Sequence, residues 1–124
     1  MGTGELPTMN MSKPIEWNLC LELANHKPDF AEEMLAMLTD DLPPSRDKIM
    51  HAFQQEDWME LQHQIHRIHG ACCYCGVPKL KKLARDIETA LKQDKLDVVK
   101  KLIPKLDRAI DEVLASYRAK DYQN

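Results

Sequence analysis

Strand formers are scarce in this sequence. Its 124 residues include 2 Phe and 3 Tyr, and no run alternates Val, Ile or Thr with polar residues. A half-buried strand needs that period-two alternation, so a β-rich fold has nothing to build from. Long apolar runs are also missing. None approaches the roughly 20 residues required to span a bilayer, so no membrane contact is expected of this domain. The segment Met1 to Ser12 lacks the basic start and apolar centre of a signal peptide. Gly2, Gly4 and Pro7 sit among polar residues there, which reads as a flexible linker and makes a cytoplasmic location the default. A concentrated basic surface is absent as well. The formal net charge is −3, which argues against nucleic acid as the main partner, because phosphate backbones demand clustered cations. Cysteines are few, and Cys72, Cys73 and Cys75 are too crowded to staple distant parts of a chain, so no disulfide framework is expected. Neither a Gly-rich nucleotide loop nor a paired-carboxylate metal site is visible.

What is present favours helices. The length is that of one ordinary domain, with 44% apolar and 30% charged residues, as in soluble globular proteins. Leu, Ala, Met, Lys, Glu and Asp dominate. Trp17, Leu19, Cys20, Leu21 and Leu23 form a short apolar helix that stops near Asn25, ahead of Pro28. Asp29 opens a second helix that buries Phe30, Met34, Leu35, Met37, Leu38 and Leu42. Pro43-Pro44 predicts a break or bend, followed by a shorter helical piece with Ile49, Met50 and Phe53. Asp57 is a plausible N-cap for a helix holding Trp58, Leu61, Ile65, Ile68 and Cys72, which Gly76 ends as a glycine C-cap. Pro78 suits the first turn of the next helix, where Leu80, Leu83, Ala84, Ile87 and Leu91 recur at spacings of three and four. Asp94 is expected to cap the last helix, with Val98, Val99, Leu102, Leu106, Ile110, Val113 and Leu114 as its stripe and a kink at Pro104 near Lys100.

Helices of this length with short connections pack as an antiparallel up-down bundle. The expected fold is therefore all-α: a four-helix bundle with an additional short N-terminal helix. Residues 1–13 are expected to be linker, 14–120 the bundle and 121–124 a C-terminal tail. A fold of this kind gives no function by itself.

Function is written in the segment from Leu61 to Gly76. At about 100° per residue, Leu61, Ile65, Ile68, Cys72 and Cys75 fall opposite His66 and define a core face. His63, His66, His69, Gly70 and Cys73 fall within roughly 60° of His66 on the solvent side. Three histidines and a glycine thus share an exposed mid-helix stripe. Glycine inside a helix costs about 1 kcal/mol relative to alanine, so Gly70 needs a reason. One turn from His66, it removes a side chain that would shield the imidazole and lets another protein approach. An ordinary imidazole titrates near ~6.5 and is a competent neutral nucleophile at pH 7. In-line transfer to it requires access and alignment more than an activating pocket. The bland alternative is that these histidines are merely solvated; the pattern His66-x-x-His69-Gly70, followed by Gly76, counts against it.

That pattern resembles the histidine-containing phosphotransfer (HPt) family, whose members carry His-x-x-(Lys or similar)-Gly and a second glycine on the second helix of a four-helix bundle. Ile65-His66-Arg67-Ile68-His69-Gly70, with Tyr74-Cys75-Gly76-Val77-Pro78, is similar to HPt modules ending hybrid sensor kinases of the BarA/GacS type. The likeness runs from about Ile15 to Tyr117, and its sharp motif covers Ile65 to Pro78. It implies that His66 is phosphorylated. It also implies that His69 stands where lysine is usual, and that the position contacting the imidazole from the following helix falls on Glu88. The set expected to face phosphate or receiver is His63, His69, Gly70, Cys73, Arg67 and Glu88. The resemblance implies partners too: receiver domains of a hybrid kinase and of a response regulator, which would supply the acidic residues and Mg²⁺. No cofactor and no kinase catalytic site are expected in this chain, which should act as a monomer.

Along the sequence, the acidic residues nearest His66 are Glu60 and Asp57, toward the start of its helix. Arg67, Lys79, Lys81 and Lys82 form either a surface attractive to an acidic receiver or a plain solvated face. Two rival readings remain. His66, His69 and Cys73 share a face and suit Zn²⁺ chemically, although three ligands from one helix rarely close a tetrahedron. The other rival is a helical interaction module without chemistry.

Overall fold

The structure is a computed structural model that describes residues 13–123. The expected linker at 1–13 therefore lies outside the described residues, except for Lys13. Five helices follow in order: α1 (Trp17–Leu23), α2 (Pro28–Gln54), α3 (Trp58–Cys72), α4 (Pro78–Lys92) and α5 (Leu96–Ala119). No strand occurs among the described residues. Contacts run α2–α3, α3–α4, α4–α5 and back from α5 to α2, which closes a four-helix bundle. The short α1 lies against α2.

Local chemistry sets the helix ends. Pro28 and Pro78 occupy first-turn positions of α2 and α4, where the missing N–H is no loss. The Asp57 carboxylate accepts from the Glu60 N–H at 3.2 Å and caps α3. Three helices close in the same way at their C-termini. Asn25, Glu56 and Asp94 adopt left-handed φ values of 58°, 53° and 60°. In each case the next N–H reaches back across the turn: His26 to Leu21 O, Asp57 to Ala52 O and Lys95 to Ala90 O. This six-to-one bond satisfies an otherwise orphaned carbonyl. Asp94 consequently ends α4 and does not cap α5, whose N-cap is Lys95 without a side-chain bond.

Three further expectations are corrected. Pro43-Pro44 does not break the chain, because α2 runs unbroken from Pro28 to Gln54. Leu35, Leu38, Leu42, Ser45, Ile49 and Ala52 form one continuous buried stripe through that point, while both prolines are exposed. Packing of that stripe, at about 1.5–3 kcal/mol per large side chain, outweighs the lost backbone bonds. Pro104 likewise sits on the exposed face of an uninterrupted α5. Second, Phe30 and Met37 are 46% and 61% exposed; the buried face of α2 is set by Ala31, Leu35, Leu38 and Leu42 instead. Third, the expected tail at 121–124 is anchored as far as Gln123. Tyr122 is buried, stacks on Tyr117 with centroids 6.0 Å apart and donates its hydroxyl to Glu32 at 3.0 Å.

The core is aliphatic and continuous across the bundle. Leu35, Leu42 and Ile49 of α2, Leu61, Ile65 and Ile68 of α3, Leu80 and Ile87 of α4, and Ile103, Leu106 and Ile110 of α5 belong to one buried cluster. Because the apolar edge of α3 is fixed in this way, its opposite edge must face solvent.

Candidate functional site

Burial of Leu61, Ile65, Ile68 and Cys72 sets the rotation of α3 and turns His66 outward, its side chain 71% exposed. The adjacent α4 brings Glu88 against it. Nδ1 of His66 lies 2.6 Å from Oε2 of Glu88, a short charge-assisted contact. Glu88 is no surface glutamate, since its side chain is only 10% exposed. Burial raises the pKa of this carboxyl, but the hydrogen bond and charge of His66, with the charge of Lys92, together outweigh burial and hold it below the usual range. Glu88 is thus the acidic residue nearest His66 in space; the expectation of Glu60 and Asp57 followed the sequence, not the packing.

The remaining expected residues divide. His63 is exposed and lines an open hollow of about 410 Å³ with Met59, Gln62, His66, Glu88 and Lys92. His69 turns inward, 23% exposed, with Nδ1 3.8 Å from Oε1 of Glu88, and it does not line that hollow. A Cβ added to Gly70 would meet nothing within 4 Å. Arg67 is exposed, and Cys73 is half-buried at the C-cap of α3. Lys79 and Lys82 are drawn to α5 and along α4, pairing with Glu112 at 3.1 Å and Asp86 at 2.7 Å. They line a groove with Leu102, Lys105 and Arg108 on the α4–α5 side, away from His66.

Gly76 has a different role from the one its position suggested. Its φ is not positive, and α3 has already ended at Cys72. A Cβ there would come within 2.7 Å of both the backbone N and Sγ of Cys20 and would also strike the Glu16 carbonyl. The Gly76 carbonyl accepts from the Glu16 N–H at 2.8 Å. Glycine is needed here for the close approach of the α3–α4 corner to the start of α1.

Lys92 was not singled out from sequence. Its Nζ lies 3.5 Å from Oε2 of Glu88, one turn along α4. The i, i+4 spacing of Glu88 and Lys92 was the available signal, and the run Ala84, Ile87, Glu88, Leu91 placed Glu88 on the buried stripe. Among the described residues, no group of three or more His, Cys, Asp or Glu is disposed to hold a metal ion. Nor is any described helix long and apolar enough to cross a membrane.

Fold and site together define a helical bundle with an exposed imidazole at His66, held at Nδ1 by the buried carboxylate of Glu88. The chain belongs to the Hpt domain family, which it matches over residues 33–116. Members of this family are phosphorelay intermediates of two-component systems and interact with receiver domains. The chain is 36% identical over 105 residues to the signal transduction histidine-protein kinase BarA of Shigella flexneri, a match over 85% of this chain. It is 41% identical over 98 residues, 79% of its length, to the sensor histidine kinase GacS of Pseudomonas protegens. In both cases the match spans only 11% of the relative's length. The crystal structure of the HPT domain from a sensor hybrid histidine kinase of Shewanella superposes with a TM-score of 0.83 at 37% identity, covering 93% of this chain and 98% of that one. Histidine-containing phosphotransfer protein B of Pseudomonas aeruginosa shares the fold, with a TM-score of 0.75 at 17% identity over 90% of this chain and 96% of that one.

Proposed function

We propose that this chain accepts a phosphoryl group on Nε2 of His66 from the phospho-aspartate of one receiver domain and passes it to the aspartate of another. The observation that carries this reading is the 2.6 Å contact between His66 Nδ1 and Glu88 Oε2. A carboxylate that close selects the tautomer with the proton on Nδ1, which leaves the Nε2 lone pair free on the exposed side. In the transfer, that lone pair attacks phosphorus and an N–P bond forms. The bond from phosphorus to the aspartyl oxygen breaks, and its electron pair returns to the aspartate as carboxylate. The ring acquires positive charge with no proton leaving it, and Glu88 offsets that charge at close range. Return transfer to a second aspartate reverses these events.

Gly70 keeps the ring's surroundings open for a receiver, and His63 and Arg67 stand exposed on the same helix. Phosphoryl transfer spreads negative charge over the equatorial oxygens, and a cation must balance it. In this proposal the partner receiver holds Mg²⁺, while this chain works without a cofactor of its own. The module acts as a monomer on the cytoplasmic side, as the phosphotransfer part of a hybrid sensor kinase.

Incubation with a phosphorylated receiver and Mg²⁺ should give acid-labile, base-stable phosphate on this chain, mapped by mass spectrometry to His66. Phosphate on His63 or His69 would refute the assignment. Once loaded, the module alone should keep its phosphate with or without Mg²⁺. A second receiver should discharge it only when the metal is present.

A further inference from the structure

We infer that Lys92, on α4, is the cation that holds the phosphoryl group on His66. The inference rests on the reading of His66 as the phosphorylated residue. Its starting point is the geometry of the hollow beside the ring. Met59, Gln62, His63, His66, Glu88 and Lys92 line it, and Lys92 is the permanent cation among them. His69, which occupies the motif's cation position, is turned inward against Oε1 of Glu88 and stays out of the hollow.

Charge balance gives Lys92 a reason to move. In the unmodified protein one carboxylate serves two partners, with Oε2 of Glu88 2.6 Å from His66 Nδ1 and 3.5 Å from Lys92 Nζ. Attack by Nε2 makes the ring cationic and places a doubly charged phosphoryl group beside it. Glu88 then pairs with the ring, and the new phosphoryl oxygens outbid the carboxylate for the ammonium. The Lys92 side chain is more than half exposed, and its four-carbon stem lets Nζ swing within the hollow without a change in backbone. Lys92 therefore binds the transferred group directly, and its effect should appear in the phosphorylated state rather than in the fold.

The test compares Lys92→Met, Lys92→Arg and, as a control on the opposite α4–α5 groove, Lys105→Met. Each is loaded from a phosphorylated receiver with Mg²⁺, and the equilibrium division of phosphate between receiver and module is measured, together with the half-life of the isolated phosphohistidine. Solvent screens a contact made by a side chain more than half exposed, so its effect is modest. Lys92→Met should therefore shift the equilibrium about fivefold toward the receiver, Lys92→Arg should restore it to within about twofold, and Lys105→Met should match the parent protein. The melting temperature of the unmodified Lys92→Met protein should stay close to that of the parent. If the parent is phosphorylated on His66 and Lys92→Met shows the same equilibrium and half-life, the assignment of Lys92 is wrong and the reading of His66 stands. Arginine failing to rescue would also overturn it. Absence of phosphate from His66 in the parent itself would remove both.

Discussion

The carboxylate of Glu88 lies 2.6 Å from Nδ1 of His66 and is nearly closed off from water, while the imidazole it holds is mostly exposed. In the proposed function the shielded acceptor fixes the tautomer and the accessible ring meets the partner. Carboxylates that orient metal-bound imidazoles are worth about 10–100-fold when removed, and Glu88 is placed to orient His66 in the same way. Glu88→Ala should slow phosphoryl acceptance by about that factor. Glu88→Gln, which keeps an acceptor for Nδ1–H but drops the charge, should lose less. Stopped-flow transfer from a phosphorylated receiver measures both, and equal losses would mean that charge alone matters.

The same carboxyl predicts a pH effect on stability. Its folded pKa is held below the usual carboxylate range by His66 and Lys92, against the upward push of burial. A depressed folded value means that the stabilisation is complete above the unfolded pKa, near ~4.3 for glutamate, and fades as pH falls from there through the folded value. The Glu88→Gln protein should lack that part of the acid sensitivity. Denaturant titrations of both proteins from pH 7 to pH 2 would show their stability curves converging at the acid end. Curves that stay parallel would mean that burial cancels the pairing.

Gly70→Gln separates access from folding. No neighbour lies within 4 Å of the space a Cβ would take, and glycine inside a helix costs about 1 kcal/mol relative to better helix formers. The substituted protein should be as stable or more stable by up to about that amount, yet accept phosphate more slowly because the new side chain stands beside the ring. Falling stability with an unchanged transfer rate would assign Gly70 to the fold.

Gly76→Ala should do the reverse. Its Cβ would press on Cys20 and on the Glu16 carbonyl, backbone neighbours that cannot rotate aside. Overpacking of this kind costs about 1–3 kcal/mol, visible as a lower melting temperature. Transfer by the folded fraction should be little changed, since the strain sits at the α1 contact and not beside His66. A loss of transfer at full stability would place Gly76 in the receiver surface.

The sequence by itself determined the helices and the exposure of His66. Apolar spacing in Leu61, Ile65, Ile68 and Cys72 fixes which edge of that helix is buried, and periodicity is a local property that needs no partner to be read. Gly70 was legible for the same reason, as a local cost with no local benefit. Only the tertiary structure decided what surrounds the ring. Glu88 reaches His66, and Lys92 reaches Glu88, because α4 packs beside α3; periodicity in neither helix records a contact across 22 positions, and only the likeness to the HPt family pointed to Glu88. The continuity of α2 through Pro43-Pro44 was decided at the same level, by a buried stripe whose summed burial exceeds a local backbone defect. Gly76 is the clearest case: its neighbours Glu16 and Cys20 come from α1 and the residue before it, so its need for a missing side chain arises only once the chain has folded back on its own start.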